Sequence, residues 1–323
     1  MNTEQLAEWL GRHLPRITRL NLNPNRIRVS HVFNWGGFVN HSFSVNDGSV
    51  KYHLKITDDT ESTRKLQLWH KIQQVLERGY RAPEVMEWLD FPEIGFAGLL
   101  QRQIDGRTAS FRDNPVLVEE LIELVSRLHK DGEIRSHLDT PGSEKTCLDH
   151  FVETYIDRFN ADMEEIATAQ PSFVSASLLK WMRNEIDRLR ATADSVSAFH
   201  NRAVDPVHGD LNEGNVLVTP SDWFVVDWDD LALGDPAVEF AVLLWPIVYQ
   251  GRKWSEFSIP GVEDSFRERI EVCLRAQLLD EVIDPLADYV AADAVPSKQL
   301  EVQAVKRKGH EEALERYLSL WRP

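Results

Sequence analysis

The chain has 323 residues, 42% of them hydrophobic, and a formal net charge of −16. This length and composition predict a folded protein of two domains and exclude a disordered chain. The acidic balance argues against nucleic acid or an anionic membrane as the main partner, because both bind basic surfaces. The negative charge agrees with a cationic small substrate, but it is also explained if it only keeps the protein soluble.

Other sequence features bear on location and redox state. No apolar run approaches the ~20 residues that span a bilayer, so no membrane partner is expected. The N-terminal segment MNTEQLAEWLGRHLPRI lacks the basic start and apolar stretch of a signal peptide, so we expect a cytoplasmic protein. Cys147 and Cys273 have no metal-ligand spacing, and we expect them to stay unpaired. Nothing in the sequence indicates the oligomeric state.

Three short strands are predicted near the N-terminus. The turn between the second and third, Asn-Asp-Gly-Ser at 46–49, is typical of a β-hairpin. The pattern therefore predicts a small antiparallel sheet. Its segments are 28–33, 41–45 and 51–56.

Two features of this sheet bear on ligand binding. The first turn contains Gly36 and Gly37, which let a backbone approach a ligand closely, although glycines also occur in ordinary hairpins. Alternation along the third strand, KYHLKI, places Lys51 and Lys55 on the same face. The pattern alone leaves both lysines as candidates for a functional cation.

A helix and a further strand follow. Apolar residues recur at helical spacing over 60–78, which predicts an amphipathic helix. The apolar run AGLLQRQI at 97–104 predicts a strand that ends at an Asp-Gly pair. The inward-facing residues of the helix are Leu66, Trp69, Ile72 and Leu76.

From residue 114 onward the pattern becomes mainly helical. Asn114 and Pro115 are typical of a helix start, and this helix closes with His129, which we interpret as structural. Acidic residues beyond 156 either bind an amine or form a solvated face. Further helices are predicted over 148–159, 177–190, 236–249, 262–280 and 298–320.

The segment 207–236, VHGDLNEGNVLVTPSDWFVVDWDDLALGDP, carries the strongest functional signal. Two short apolar runs joined by a turn predict a hairpin, so Asn215 and Asp227, at its outer ends, become neighbours. Asp210, on the loop leading in, is expected to face the same space. Phosphoryl transfer from a nucleotide requires one carboxylate that accepts a proton, and an amide and a second carboxylate that hold magnesium.

HGDLNEGN resembles the catalytic loop of the aminoglycoside phosphotransferase and choline kinase superfamily, and VVDWDD and GDPAVEFA are similar to the segments that follow it there. The resemblance covers about 28–245. It implies an α+β, bilobal protein-kinase-like fold with a small antiparallel β-sheet N-terminal lobe and a mainly helical C-terminal lobe. The predicted lobes are 1–104 and 105–323, with a hinge near 101–106.

The resemblance also implies an activity, the transfer of the γ-phosphate of ATP to a hydroxyl of a small molecule. GTP is retained as an alternative donor. Asp210 is expected to orient and deprotonate the acceptor, and Asn215 and Asp227 to hold Mg²⁺. Lys55 is expected to neutralise phosphate charge. Asp229 is interpreted either as a helper of this site or as a surface carboxylate.

Residues with supporting roles follow from the same resemblance. Gly36 and Gly37 would cover the phosphates, and backbone groups of Arg102 and Ile104 would bind the adenine. His208 is expected to support the catalytic loop by hydrogen bonding and to do no chemistry.

One element departs from the family pattern. The family helix that follows the strand lysine offers it a glutamate, but the corresponding stretch here, RKLQLWHK, contains no acid. Glu61, at the start of the helix, is the nearest candidate. A solvent-facing glutamate that favours the helix dipole explains Glu61 as well.

The acceptor stays open between an aminoglycoside or amino sugar, choline or ethanolamine, homoserine and another metabolite, because fold and loop do not determine a substrate. A second hypothesis is a nucleotide-binding protein without transferase activity, which only the missing helix glutamate supports. A protein kinase is third, since its His-Arg-Asp, Asp-Phe-Gly and Ala-Pro-Glu elements are not found.

Overall fold

The computed structural model describes residues 2–20, 22–32, 40–138, 145–261, 263–294 and 298–321. The strands, in chain order, are β1 (Arg28–Val32), β2 (His41–Asn46), β3 (Lys51–Thr57), β4 (Val85–Phe91), β5 (Phe96–Arg102), β6 (Arg107–Thr108), β7 (Asp205–Val207), β8 (Val216–Val218), β9 (Trp223–Val225) and β10 (Ala232–Gly234). The helices are α1 (Thr3–His13), α2 (Thr60–Tyr80), α3 (Pro115–Leu128), α4 (Gly132–Leu138), α5 (Cys147–Phe151), α6 (Arg158–Ala169), α7 (Ala176–Ser195), α8 (Pro236–Tyr249), α9 (Asp264–Ala291) and α10 (Gln299–Leu320).

The chain forms two compact units. The first consists of Met1–Ala109 and Glu213–Leu231, and the second of Ser110–Asn212 and Ala232–Pro323. The lobes predicted from the sequence, 1–104 and 105–323, differ from this division. The reason is the small antiparallel sheet β6-β8-β9, which ties the β8–β9 hairpin to β6, near the end of the segment Met1–Ala109.

The first unit is built around a five-stranded antiparallel sheet in the order β1-β2-β3-β5-β4. Strands β1, β2, β3 and β5 lie where the sequence patterns predict them. Strand β4 was not predicted, and the structure gives a reason, because a register shift between Val85 and Glu87 interrupts its alternation. Central strand β3 pairs with β2 on one side and with β5 on the other.

Two helices cover this sheet. Helix α1 begins with a capping box formed by Asn2 and Gln5, and its apolar side packs into the same buried cluster as the β2 and β3 side chains. Helix α2 is capped by Asp59, which accepts the Ser62 N–H at 2.7 Å. The four residues predicted to face inward on α2 are all buried, as the helical spacing requires. They are Leu66, Trp69, Ile72 and Leu76.

The second unit is mainly helical. Helix α8 is apolar on nearly every side and buries most of its length, as expected of a core helix. Helices α9 and α10 pack against each other, and α9 also packs against α6, α7 and α8. Between α5 and α6 the chain forms a π-helical segment, Val152–Asp157. The two-stranded antiparallel sheet β7-β10 lies beside the helices.

Two further expectations concern helices and thiols. In the part of the chain that the structure describes, no helix combines the length and apolarity needed to cross a lipid bilayer. Cys147 and Cys273 are both buried and unpaired.

Candidate active site

The hairpin β8–β9 carries two of the predicted ligand-binding residues. Val216 pairs with Val225 across the hairpin, and the Val226 N–H donates to the Asn215 carbonyl oxygen at 2.9 Å. Asp227 follows directly, with a left-handed backbone at φ 67°. Asn215 and Asp227 therefore lie at the two adjacent ends of the hairpin, as the sequence predicts.

Lys55 lies near the end of β3 and reaches this hairpin. Its side chain is only 10% exposed, and the ammonium group forms an ion pair with Asp227 and another, at 2.7 Å, with Asp229. Burial alone would lower the pKa of Lys55, but the two carboxylates outweigh it and the net shift is upward. Lys55 is therefore the buried cation of this site, whereas Lys51 pairs with exposed Asp105.

Asp229, interpreted from the sequence either as a helper of this site or as a surface carboxylate, would share a face with Asp227 if strand β9 continued. The strand ends at Val225 instead, and Trp228–Asp230 forms a 3₁₀ turn whose Trp228 indole N–H donates to the Val225 carbonyl at 2.9 Å. The turn brings Asp229 to Lys55 all the same. Burial, and then the neighbouring Asp227, raise the pKa of Asp229 to about 6, while Lys55 opposes the shift.

Asn40 is a site residue that sequence reasoning missed. It lies just before β2, and its side-chain amide donates to Asp229 Oδ2 at 2.9 Å. The two residues are 189 positions apart in the chain, and the sequence around Asn40 contains no motif that signals this contact.

Helix α2 supplies no carboxylate to Lys55. The nearest predicted acid, Glu61, is exposed, and the acids in contact with the Lys55 ammonium are the two aspartates. The helix presents a lysine to the same turn, since Lys65 pairs with Asp230 at 2.9 Å. In place of the pair considered for Glu61, Lys55 contacts Asp227, just before the 3₁₀ turn, and Asp229 within it.

The predicted nucleotide contacts are less fully described. Gly36 and Gly37 lie outside the described residues. The Arg102 N–H donates to the Glu84 carbonyl at 2.8 Å, so of its backbone groups the carbonyl is the better candidate for an adenine contact. Ile104 is half-buried in the irregular segment after β5. A role for both residues in adenine binding stays a prediction.

Asp210, predicted to be the catalytic carboxylate, lies on a loop of the second unit. The Asp210 N–H donates to His208 Nδ1 at 3.3 Å, and the Asn212 side-chain amide donates to Asp210 Oδ1 at 2.7 Å. Gly209, between them, has φ +91°, a backbone conformation that favours glycine. The His-Gly-Asp order therefore has a conformational reason here.

Below this loop lies a buried cluster around Glu239. Glu239 Oε1 accepts the His208 backbone N–H at 2.6 Å, and Oε2 accepts a hydrogen bond from His129 Nε2, also at 2.6 Å. All three residues are almost completely buried. Glu239 is thus the acceptor that joins the His208 backbone to the His129 ring. That the two histidines have structural roles alone stays a prediction.

The hairpin residues suit Mg²⁺ by their chemistry. This ion prefers oxygen ligands and binds through one or two protein side chains together with waters and substrate phosphates. Asp227 offers a carboxylate and Asn215 an amide oxygen, so the donor set fits. In the described part of the chain no cluster of three or more His, Cys, Asp or Glu side chains is arranged to hold a metal. A Mg²⁺ site that phosphate oxygens complete does not require such a cluster.

Comparison with known proteins gives the family. The profile of the APH phosphotransferase enzyme family matches residues 31–259. The chain belongs to this family. It is therefore a phosphotransferase, as the sequence motifs predict. No curated protein matches the chain.

Solved structures agree on the fold. A choline kinase from Cryptosporidium parvum Iowa II is 16% identical, with a TM-score of 0.58 over 99% of this chain and 96% of that one. A spectinomycin phosphotransferase, solved with ADP and spectinomycin, is 14% identical, with a TM-score of 0.59 over 98% of both chains. An aminoglycoside 2'-phosphotransferase, solved with GDP, is 11% identical, with a TM-score of 0.60 over 97% of this chain and 99% of that one. These likenesses confirm the predicted α+β protein-kinase-like fold.

Proposed function

We propose that this phosphotransferase transfers the γ-phosphate of ATP to a hydroxyl group of a small, amine-bearing molecule. The observation that carries the proposal is the pairing of Lys55 with Asp227, which joins the buried cation of the sheet to the carboxylate at the end of the hairpin. A cation and a carboxylate in this arrangement suit a nucleotide phosphate and its metal ion.

Each residue has a distinct role in this proposal. Lys55 binds phosphate oxygens and neutralises their charge, and Asn215 and Asp227 hold Mg²⁺. The ion would supply further positive charge to the phosphates. Asp210 orients the acceptor hydroxyl and accepts its proton, on a loop that Asn212 and His208 hold in place. Most of the rate enhancement then comes from positioning and electrostatics.

The amine in the acceptor is supported by two observations. The similar structures include a choline kinase, an ethanolamine kinase and a spectinomycin phosphotransferase, whose named substrates all contain a nitrogen that carries positive charge. The chain itself has a formal net charge of −16, which favours a cationic ligand over an anionic one. GTP remains the alternative donor, to be compared directly with ATP.

The rival hypothesis, a nucleotide-binding protein without transferase activity, rested on the missing helix glutamate. Lys55 has two carboxylate partners without that residue. The rival has therefore lost the observation that motivated it.

The experiment is a search for phosphorylated product by mass spectrometry. Wild-type protein would be incubated with Mg²⁺ and ATP, or GTP in parallel, and with amino sugars, aminoglycosides, choline, ethanolamine or homoserine. We expect product from at least one acceptor. Asp210→Ala should lower the turnover by about 10²- to 10⁴-fold, the contribution typical of a general base, with an unchanged melting temperature.

Two controls make the result decisive. Asp222→Ala removes an exposed aspartate from the tip of the β8–β9 hairpin and should leave turnover within about twofold, because exposed ion pairs contribute little. Unchanged turnover in Asp210→Ala would refute its catalytic role. Nucleotide binding without phosphorylation of any acceptor in the panel would instead favour the rival hypothesis, a nucleotide-binding protein without transferase activity.

A further inference from the structure

The two aspartates that share Lys55 differ in their surroundings. The Asp227 side chain is 37% exposed, whereas that of Asp229 is 12% exposed. Asp229 has a second anchor, because the same oxygen, Oδ2, accepts from Lys55 Nζ and from the Asn40 amide. One carboxylate is thus open to a ligand, and the other is held inside the protein.

We propose that Asp229 is the positioning residue for Lys55. It holds the ammonium group in place from within the protein, whereas Asp227 would hold the metal ion of the nucleotide. In the family pattern a glutamate of the following helix pairs with the strand lysine, and Glu61 was the nearest candidate for that role here. The inference rests on the proposed function, because it assigns Lys55 to the nucleotide phosphates.

The physical reason is the cost of an unpaired buried cation. The Lys55 side chain is 10% exposed, and an ammonium group at such a position requires a counter-ion or a strong set of acceptors. A carboxylate that binds a metal ion gives up much of its attraction for a neighbouring lysine, since both compete for the same oxygens. The second carboxylate then holds the ammonium group in position.

The sheet itself sets the geometry of Asn40 and Asp229. Ser42, two residues after Asn40, is the β2 residue opposite Lys55 on β3. The start of β2 therefore lies beside the lysine, and the Asn40 amide reaches Asp229 from there. On the other side of the turn, Lys65 of helix α2 pairs with Asp230 at 2.9 Å. The turn that carries Asp229 is thus anchored twice, at Asp229 from the start of β2 and at Asp230 from helix α2.

The test measures nucleotide affinity and so does not require a known acceptor. The magnesium complex of a non-hydrolysable ATP analogue would be titrated calorimetrically into wild-type protein, Lys55→Met, Asp229→Asn and the double variant. We expect Lys55→Met and Asp229→Asn each to weaken binding by about 10- to 100-fold, the range for a lost charge-assisted hydrogen bond. The double variant should bind no more weakly than Lys55→Met, because Asp229 acts through Lys55.

Matched variants separate this role from others. Asp230→Asn makes the same chemical change one residue away, in an exposed pair with Lys65, and should shift affinity by less than about twofold. Asn40→Ala removes only the second anchor of Asp229, and we expect a loss of about three- to tenfold. Asp229→Glu keeps the charge and should recover part of the affinity lost in Asp229→Asn. If Asp229→Asn does not fold, the nucleotide affinities of Asn40→Ala and Asp229→Glu would be compared with that of the wild type instead.

The outcomes distinguish the two proposals. If Lys55→Met weakens binding but Asp229→Asn does not, the positioning role is wrong and the proposed function stands. Losses that multiply in the double variant would likewise show that Asp229 acts independently of Lys55, for instance as a second metal ligand. If neither variant weakens nucleotide binding, the role of Lys55 in the proposed function fails, and the positioning role fails with it.

Discussion

Two clusters, one in each unit of the protein, hold a polar side chain between two partners, and they differ in their access to solvent. In the first unit, Lys55 lies between Asp227 and Asp229. In the second, Glu239 lies between His129 and the His208 backbone. The Asp227 side chain is 37% exposed, but that of Glu239 only 1%. A closed cluster can only support its surroundings, whereas an open one can exchange a partner for a ligand.

The largest effect on stability is expected from the closed cluster. Glu239→Ala leaves the His208 N–H and the His129 ring without their buried acceptor, and unfolding should become easier by about 3–5 kcal/mol. Urea unfolding of the variant and the wild type would measure the difference. The catalytic loop would also lose its support, so turnover should fall as well.

In the open cluster around Lys55, the expected effect is on activity and not on stability. Asp227→Ala should change the free energy of unfolding by less than about 1 kcal/mol, because Lys55 keeps Asp229 as a partner and the removed side chain is partly solvated. Phosphoryl transfer should nevertheless be lost. Equal losses of stability in Glu239→Ala and Asp227→Ala would contradict the contrast between a supporting cluster and a ligand-binding one.

A second test concerns the strand beneath Lys55. A Cβ atom added at Gly98 of β5 would lie 1.9 Å from the Lys55 carbonyl oxygen and 2.7 Å from the Ile56 Cα. Gly98→Ala must therefore push β3 and β5 apart, and we expect a loss of about 1–3 kcal/mol together with weaker nucleotide binding. Both effects would be measured on the same preparation, by denaturant titration and by calorimetry.

The matched control for this substitution is Gly79→Ala in helix α2. Apart from its chain neighbours and the nearby backbone of its own helix, no atom of the described residues lies within 4 Å of the added Cβ there, and alanine favours a helix over glycine by about 0.5–1 kcal/mol. A small gain in stability is expected. If Gly98→Ala behaved like Gly79→Ala, the close approach of β5 to Lys55 would not be needed to position the lysine.

A third charged region extends the comparison, since carboxylates outnumber cations along α9 and its neighbours. Burial, and then the adjacent Asp280 and Asp284, raise the pKa of Glu281 to about 8, while Gln277 and Lys306 act in the opposite direction. The folded state therefore keeps a proton that the unfolded state loses near pH 4.5. Each pH unit between these two pKa values removes stability, so the free energy of unfolding should fall from about pH 4.5 to pH 8.

Glu281→Gln removes this titration. We expect the variant to gain about 1–2 kcal/mol over the wild type at pH 8 and almost nothing at pH 4.5, measured as the difference in melting temperature across the pH range. Glu271→Gln, an exposed change on the same helix, serves as the control and should follow the wild-type profile. A gain of equal size at both pH values would show that the effect is not electrostatic.

The sequence predicts local features of this protein better than long-range ones. Strand alternation, helical spacing and the Asn215–Asp227 hairpin depend on neighbours in the chain, and the structure contains all of them. The pairing of Lys55 with Asp229 could not be predicted in the same way. It depends on a left-handed Asp227 and the 3₁₀ turn after it, which bring Asp229 to a strand more than 170 residues earlier.

Contacts between distant segments also explain the other differences. Strand β4 has a bulge that hides its period, and the 189-residue separation of Asn40 and Asp229 leaves no local pattern. Glu239 could be placed at a helix start from the sequence, but its role as acceptor for His208 and His129 depends on how that helix packs. Contacts between side chains that tertiary packing brings together cannot be predicted from local sequence patterns.

The smallest effect is expected at Arg81, where α2 meets the hairpin that carries Asn215 and Asp227. Arg81 has a left-handed backbone at φ 56°, pairs with exposed Asp222 and lies 4.3 Å from the centroid of the Trp223 ring. Arg81→Gly loses these side-chain contacts, and a long hydrogen bond to the Trp223 carbonyl oxygen, but relieves the backbone conformation. Since each contribution is about 1 kcal/mol or less, the net change in unfolding free energy should stay within about 1 kcal/mol.

Arg81→Ala separates the two contributions, because it loses the same contacts without the relief that glycine offers. It should be less stable than Arg81→Gly by about 1 kcal/mol. The hairpin would keep its backbone link to α2 in both variants, since the Val225 N–H donates to the carbonyl of residue 81 at 3.1 Å. Nucleotide affinity should therefore be nearly the same in both. A large loss of affinity in Arg81→Gly would instead mean that exposed side-chain contacts hold Asn215 and Asp227 in place, and that solvent access alone does not separate supporting clusters from ligand-binding ones.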